Sequence, residues 1–307
     1  MSVGAAQEAR SPGGRMTFNQ WAAFRGYATG AWLARHLPDA TGRWVFRRGG
    51  SLAHDLLPGL RNTVARNQSL VLGEPPSSPL VRVATREAFD LYARYWLETF
   101  RIPALGEDAF TERFAFEHIE RIDDALTAGR GVVAALPHLG NWDAAGYALT
   151  IRGTRIAAVA EELRPARLLD LFMEHRKELG MHIVPLVRGT AVTRRLRELL
   201  SDNWVVALVA DRALGGRGVE VEMFGVPHKL PTGPAMLSLS TGAPLLVCPV
   251  YTTDHGWICR IGAPLQVERT DSLRADVEAL TQLLAKEFER AIAARSVDWH
   301  MFQPFDA

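Results

Sequence analysis

From residue 131 onward, short runs of consecutive apolar residues alternate with longer stretches in which apolar side chains recur every three or four positions. "GVVAALP" (131–137), "RIAAVAEEL" (155–163), "MHIVPLV" (181–187) and "WVVALVAD" (204–211) are of strand length and apolar throughout, as strands buried on both faces require. Between them lie "DAAGYALTIRG", "PARLLDLFMEHRKELG" and "TAVTRRLRELLSDN", each long enough for a crossover helix. Beyond residue 217 the rhythm loosens: "GVEVEMFG" alternates like an edge strand, and "PTGPAMLSLSTG" reads as a short helix. "APLLVCPVYT" and "WICRIGAPLQV" read as a strand pair, and an amphipathic helix runs from about 271 to 295. The pattern implies an α/β fold, a central, mostly parallel twisted sheet covered by helices.

The first 130 residues read differently. Residues 1–15 are small, polar and interrupted by Pro and Gly, and are expected to be a disordered tail. Helical patterns then cover 16–38, roughly 45–72, roughly 79–101 and "EDAFTERFAFEHIERIDDALTAG" (107–129), so this part is expected to be helical throughout. The helix at 16–38 carries Phe18, Trp21, Phe24, Tyr27 and Trp32 beside Arg25 and Arg35, side chains that suit a water–lipid boundary and would equally serve an ordinary core-packing helix. It is too polar to span a bilayer, and a secretory leader is not expected.

Composition narrows the function. Net charge is +1, which gives no global field for nucleic acid. The two cysteines, Cys248 and Cys259, lack metal-ligand spacing and read as buried thiols of a reducing compartment. No histidine pair has zinc-site spacing, so no metal is expected, and neither a dinucleotide loop nor a Walker loop occurs.

One segment carries chemistry. In "LPHLGNWDAAG", His138 and Asp143 follow an apolar strand in a loop that leads into a helix, at the strand end where open α/β sheets bind ligands. With 9 histidines in 307 residues, about 0.4 such spacings arise by chance, so the spacing alone proves little. His118 and Asp123 repeat it within a helical pattern, where five residues turn the side chains apart. In a loop the carboxylate could reach one imidazole nitrogen and leave the other to take a proton from an alcohol. The alternative is a loop that merely caps the helix. The sequence has no G-x-S-x-G nucleophile elbow, which favours direct attack by a substrate hydroxyl.

"LPHLGNWDAAG" resembles the H-x-x-x-x-D box of the family that contains the late lipid A acyltransferases and the phosphatidylinositol mannoside acyltransferases. "LRPARLLDLFMEHRKELG", "VALVADRAL", "GVEVEMFG" and "LPTGPAMLSLSTGAPLLVCPVY" follow in matching order, so the resemblance covers roughly 85–305. "YARYWLETFRIP" and the ending "DWHMFQPF" are similar to the mannoside branch. The resemblance implies one acyltransferase domain over 16–307, acting at the cytoplasmic face of the cell membrane as a peripheral protein on anionic lipid. It implies transfer of a long acyl chain, typically palmitoyl, from acyl-CoA to the mannose 6-hydroxyl of a phosphatidylinositol mannoside, without a cofactor. His138 would be the general base and Asp143 its orienting group. Asp211, where the mannoside branch is expected to carry glutamate, would be a second acidic group of the relay, its bland alternative being a strand-end turn residue. Arg176 and Glu161 would stand in the cleft, or form a solvated ion pair. Arg164, Arg167, Arg194, Arg195 and Arg197 are candidates for the coenzyme phosphates. A lipid A-type acyltransferase, an acyl-CoA thioesterase and a non-catalytic lipid-binding protein remain alternatives.

Overall fold

The computed structural model describes residues 17–161, 166–186, 192–213 and 218–305. The expected tail at 1–15 and Arg164 lie outside them. Four long helices come first: α1 (Phe18–His36), α2 (Asp39–Leu56), α3 (Pro58–Leu72) and α4 (Pro79–Arg101). Then follow α5 (Glu107–Thr111), β1 (Phe114–Glu117), α6 (Glu120–Thr127), β2 (Val132–Leu136), α7 (Trp142–Ile151) and β3 (Ile156–Glu161). The chain continues with α8 (Ala166–Glu178), β4 (His182–Leu186), α9 (Val192–Ser201), β5 (Val205–Val209), β6 (Val219–Met223) and β7 (Val226–Leu230). It closes with α10 (Gly233–Thr241), β8 (Leu245–Val247), β9 (Val250–Thr252), β10 (Trp257–Arg260) and α11 (Leu273–Ala294).

The main sheet runs β4-β3-β5-β2-β8 and is parallel at every pairing. Its strands are apolar in runs because both faces are covered. Val133, Ala135, Val206 and Leu245 pack with Leu196 and Leu199 of α9 and with Leu280, Leu284 and Phe288 of α11. Ala134, Leu136, Ile156 and Val205 face Ala144, Ala145, Ala148 and Leu149 of α7. The four long helices gather on α4, which packs against α1, α2 and α3.

Three expectations are corrected. The helical pattern at 45–72 is two helices, because Pro58 lacks an N–H and forces Leu57 out of the helical region (φ −113°, ψ 73°). The expected helix at 107–129 contains β1, whose Phe114 and Phe116 pair in parallel with Trp257 and Cys259 of β10. His118 ends that strand at φ 64°, so His118 and Asp123 are not in one helix. They still do not meet: His118 contacts Glu120, and Asp123 accepts from Arg152. "APLLVCPVYT" is split at Cys248–Pro249, with β8 in the main sheet and β9 antiparallel to β10 in a second sheet. A hairpin partner of the expected edge strand, β7, joins β6 through Phe224 and Gly225, both at positive φ as a tight hairpin requires.

Candidate active site

His138 stands just beyond the carboxyl end of β2, in a loop that the C-terminal segment holds. His300 donates its backbone N–H to the His138 carbonyl at 2.7 Å, and Gly140 donates to the Asp298 carbonyl at 2.9 Å. Gly140 has φ 58°, and a Cβ there would run into the Val250 carbonyl, so only glycine fits this approach. Asn141 closes the loop as the N-cap of α7, its side chain accepting from Ala144 N–H at 3.0 Å. The capping duty thus belongs to Asn141, which leaves His138 free of it.

The carboxylate on the imidazole is Asp211, which follows β5, the strand hydrogen-bonded beside β2. Asp211 Oδ1 lies 2.5 Å from His138 Nδ1. Its Oδ2 accepts the His138 backbone N–H and the indole N–H of Trp299, each at 2.9 Å. A carboxylate only accepts, so Nδ1 carries the proton and Nε2 is the basic nitrogen. Nε2 has no protein partner among the described residues, on a side chain 21% exposed over a fully buried aspartate. Burial alone would raise the Asp211 carboxyl. The adjoining His138 ring, the Trp299 N–H and the His138 N–H outweigh it and hold the group below the ordinary carboxylate value.

Asp143 does not reach His138, which corrects the expected pairing. Position 143 is already in the first turn of α7, and its carboxylate accepts from Arg176 of α8, Nε at 2.6 Å and Nη2 at 3.4 Å. Tyr95 of α4 donates to it at 3.3 Å. The pair is buried, with side chains 4% and 19% exposed, so it is not a solvated one. Burial opposes both charges. For Asp143 the Arg176 charge and hydrogen bonds prevail and lower the carboxyl; for Arg176 the same partner raises the guanidinium.

The remaining expected arginines among the described residues lie on α8 and α9. Glu161 ends β3. Arg167 is exposed at the start of α8. Arg194 and Arg195 form ion pairs with Glu198, and Arg197 donates to Ser240. Sequence reasoning missed Trp299 and His300. The His300 ring is buried between Tyr92, Tyr95 and Trp142 at 5.3, 5.0 and 6.1 Å. Burial first, and the nearby His138 second, push its pKa down to about 3, so it stays neutral while His138 takes up a proton. Their signal was the ending "DWHMFQPF", an aromatic cluster with polar edges.

Removing the indole N–H alone, Trp299→Phe, is expected to lower kcat about tenfold, the scale of one lost hydrogen bond to a charged group. It also removes one influence that lowers the Asp211 carboxyl. An unchanged kcat would show the contact to be inert.

Beside His138, the Trp142 ring stands edge-on at 5.4 Å and also lines a cavity between α7 and the main sheet. The cavity holds about 650 Å³ of atom-free space including its mouth, and its walls include Leu136, Ala145, Leu149, Ala207 and Met181. Its lining is mainly apolar, with Asp143 and Arg176 also on it.

A family model of the bacterial lipid A biosynthesis acyltransferases matches residues 15–305. A phosphatidylinositol mannoside acyltransferase of Mycolicibacterium smegmatis is 38% identical over 283 residues, 91% of this chain and 90% of that protein. One of Mycobacterium tuberculosis is 38% identical over 296 residues, 94% of this chain and 88% of its own.

Proposed function

The chain belongs to the bacterial lipid A biosynthesis acyltransferase family, and from that premise we propose that it acylates a phosphatidylinositol mannoside. The donor is acyl-CoA, the transferred group a long chain such as palmitoyl, and the acceptor the 6-hydroxyl of the mannose on the inositol 2-position. The relatives' names support the acceptor class. The observation that carries the chemistry is the His138 imidazole, pinned at Nδ1 by Asp211 and free at Nε2.

In this mechanism Nε2 takes the hydroxyl proton as the sugar oxygen attacks the thioester carbonyl. The C–S bond then breaks, and the imidazolium returns its proton to the leaving thiolate. Asp211 holds the tautomer and stabilises the imidazolium. The apolar cavity takes the acyl chain away from water, with Trp142 between it and the base. Asp143, Arg176 and Tyr95 hold α7, α8 and α4 together around that cavity, and Glu161 and Arg164 are substrate contacts.

The deciding experiment measures coenzyme release from palmitoyl-CoA with and without a mannosylated phosphatidylinositol, with product analysis. Strongly acceptor-dependent release and an acylated glycolipid are expected. Release indifferent to the acceptor would instead establish a thioesterase.

We further propose that the enzyme works as a peripheral protein on the anionic cytoplasmic face of the cell membrane. Among the described residues no helix is long and apolar enough to cross a membrane. On α1, Tyr27 turns inward against Trp96 and Phe172, whereas Trp32 is 58% exposed. On α2, Trp44 and Leu56 are 61% and 70% exposed, with Arg48 over the Trp44 ring. Exposed apolar groups among arginines suit a headgroup boundary. The protein is expected to pellet with anionic liposomes at low salt, and Trp32→Ser/Trp44→Ser to reduce pelleting about tenfold or more. Absence of pelleting by the unaltered protein would end this proposal.

A further inference from the structure

The cavity between α7 and the main sheet has three levels, counted downward from His138. Because α7 leads from the end of β2 to the start of β3, its first turn stands beside the base and its last beside the strand starts. At the upper level Leu136 of β2 and Val209 of β5, in register, line the cavity with Trp142 and Asp143 of α7. The charges on the lining belong here, because the Arg176 guanidinium is bound to Asp143. At the middle level Ala134, Ala207 and Ala158 stand in register on three adjacent strands, and Ala145 and Gly146 of α7 also line the space. Small side chains on both walls leave a passage downward. At the lower level Ile156, in register with Val205 and through it with Val132, meets Leu149 of α7 and Met181, the residue before β4. This level is closed: Leu149, Ile156 and Met181 are at most 6% exposed. Thr150 donates to the Leu179 carbonyl at 2.9 Å, which ties the last turn of α7 to the turn that carries Met181.

We propose that the terminal methyl of the acyl chain rests on this floor, against Leu149, Ile156 and Met181, and that Met181 sets the longest donor accepted. This rests on the reading that the cavity holds the acyl chain. The depth is counted from the reacting centre. Val132, level with the floor, is six residues from His138 along β2 and its loop, about 20 Å at about 3.3 Å per residue. An extended alkyl chain advances about 1.3 Å per bond, the projection of a C–C bond of about 1.5 Å, so a sixteen-carbon acyl group spans about 19 Å. Of the three floor residues Met181 intrudes furthest. A Cβ added to Gly146 would fall 2.3 Å from its sulfur and 3.3 Å from its terminal methyl, so the thioether rises from the floor against the middle of α7. Glycine at 146 is what leaves it this room. Leu149 and Ile156 are branched and fixed by the packing around them, whereas an unbranched thioether can refold to suit what lies against it. Shortening Met181 therefore deepens the cavity at its closed end.

The test uses palmitoyl-CoA carrying a diazirine at the end of its chain, bound to the unaltered protein. On illumination the diazirine loses dinitrogen, and the carbene inserts into the nearest C–H bond. Peptide mapping is expected to find the label on Leu149, Ile156 or Met181. In parallel, Met181→Ala is expected to raise the ratio of kcat/KM for eighteen-carbon over sixteen-carbon donors about tenfold or more, from a scale of about fourfold per buried methylene. A ratio taken within one protein is unaffected by any loss of folded enzyme. Label on Phe116 or Cys259, which line the cavity on the side of the second sheet, would overturn the floor while leaving the chain in the cavity. An unchanged length ratio in Met181→Ala would overturn the part assigned to Met181. Label outside the cavity altogether, from a donor that still reacts, would refute the acyl-pocket reading itself.

Discussion

Asp211→Asn is expected to lower kcat by about 10⁴-fold, the scale seen when a catalytic imidazole is locked in the wrong tautomer. The geometry explains why the amide does this. Oδ2 of Asp211 accepts two N–H groups, from His138 and Trp299, whereas Oδ1 accepts one. An asparagine keeps its single oxygen on the side with two donors and turns its NH₂ toward Nδ1. The imidazole must then accept at Nδ1 and carry its proton on Nε2, where it can no longer take one from an alcohol. His138→Ala is expected to lose at least as much, and the double variant no more than the worse single one, because the two residues act as a unit. Single-turnover coenzyme release in the presence of acceptor reads all three. Asp211→Asn within tenfold of the unaltered enzyme would remove Asp211 from the mechanism.

The strands and helices of residues 131–211 were legible because a buried parallel sheet writes continuous apolar runs separated by helical periods. The order of those strands was not. Nothing in "GVVAALP" or "WVVALVAD" says that β2 lies beside β5 and not beside β3. The partner of His138 depended on that order, since Asp211 is 73 residues away in sequence and adjacent only because two strand ends are neighbours. Asp143 was the nearer carboxylate and drew the inference. Helix α7 begins at Trp142, which commits Asp143 to the helix before it can turn back. β1 was hidden for a related reason: its four residues, "FAFE", sit among good helix formers, and only the pairing with β10 makes them a strand. The two segments read as marks of the mannoside branch prove to be structural partners of the site. Tyr95 lies in one and Trp299 in the other, and each donates a hydrogen bond to a buried aspartate there.

Arg176→Met is expected to cost about 3–5 kcal/mol of stability at pH 7, the range for removing one partner of a buried ion pair. The Asp143 carboxylate would keep the influence of His175 and the Tyr95 hydroxyl at 3.3 Å, in a site 3% exposed. The pH dependence should reverse as well. In the intact protein the lowered Asp143 carboxyl contributes stability above its unfolded pKa of about 3.9, and that contribution is lost as pH falls through the lower folded value. Without Arg176 its charge no longer opposes burial, which is the largest influence on this carboxyl, and the folded pKa rises above the unfolded one. Such a group favours folding at low pH and loses that advantage as pH rises, so the variant's deficit should shrink between pH 7 and pH 5. Replacing the carboxylate too, in Arg176→Met/Asp143→Asn, should restore most of the lost stability. Urea unfolding of the three proteins at both pH values separates these outcomes. A deficit below about 1 kcal/mol, unchanged with pH, would mean that the pair behaves as an exposed one. In that case α7, which carries Trp142 beside the catalytic histidine, must owe its placement to packing alone.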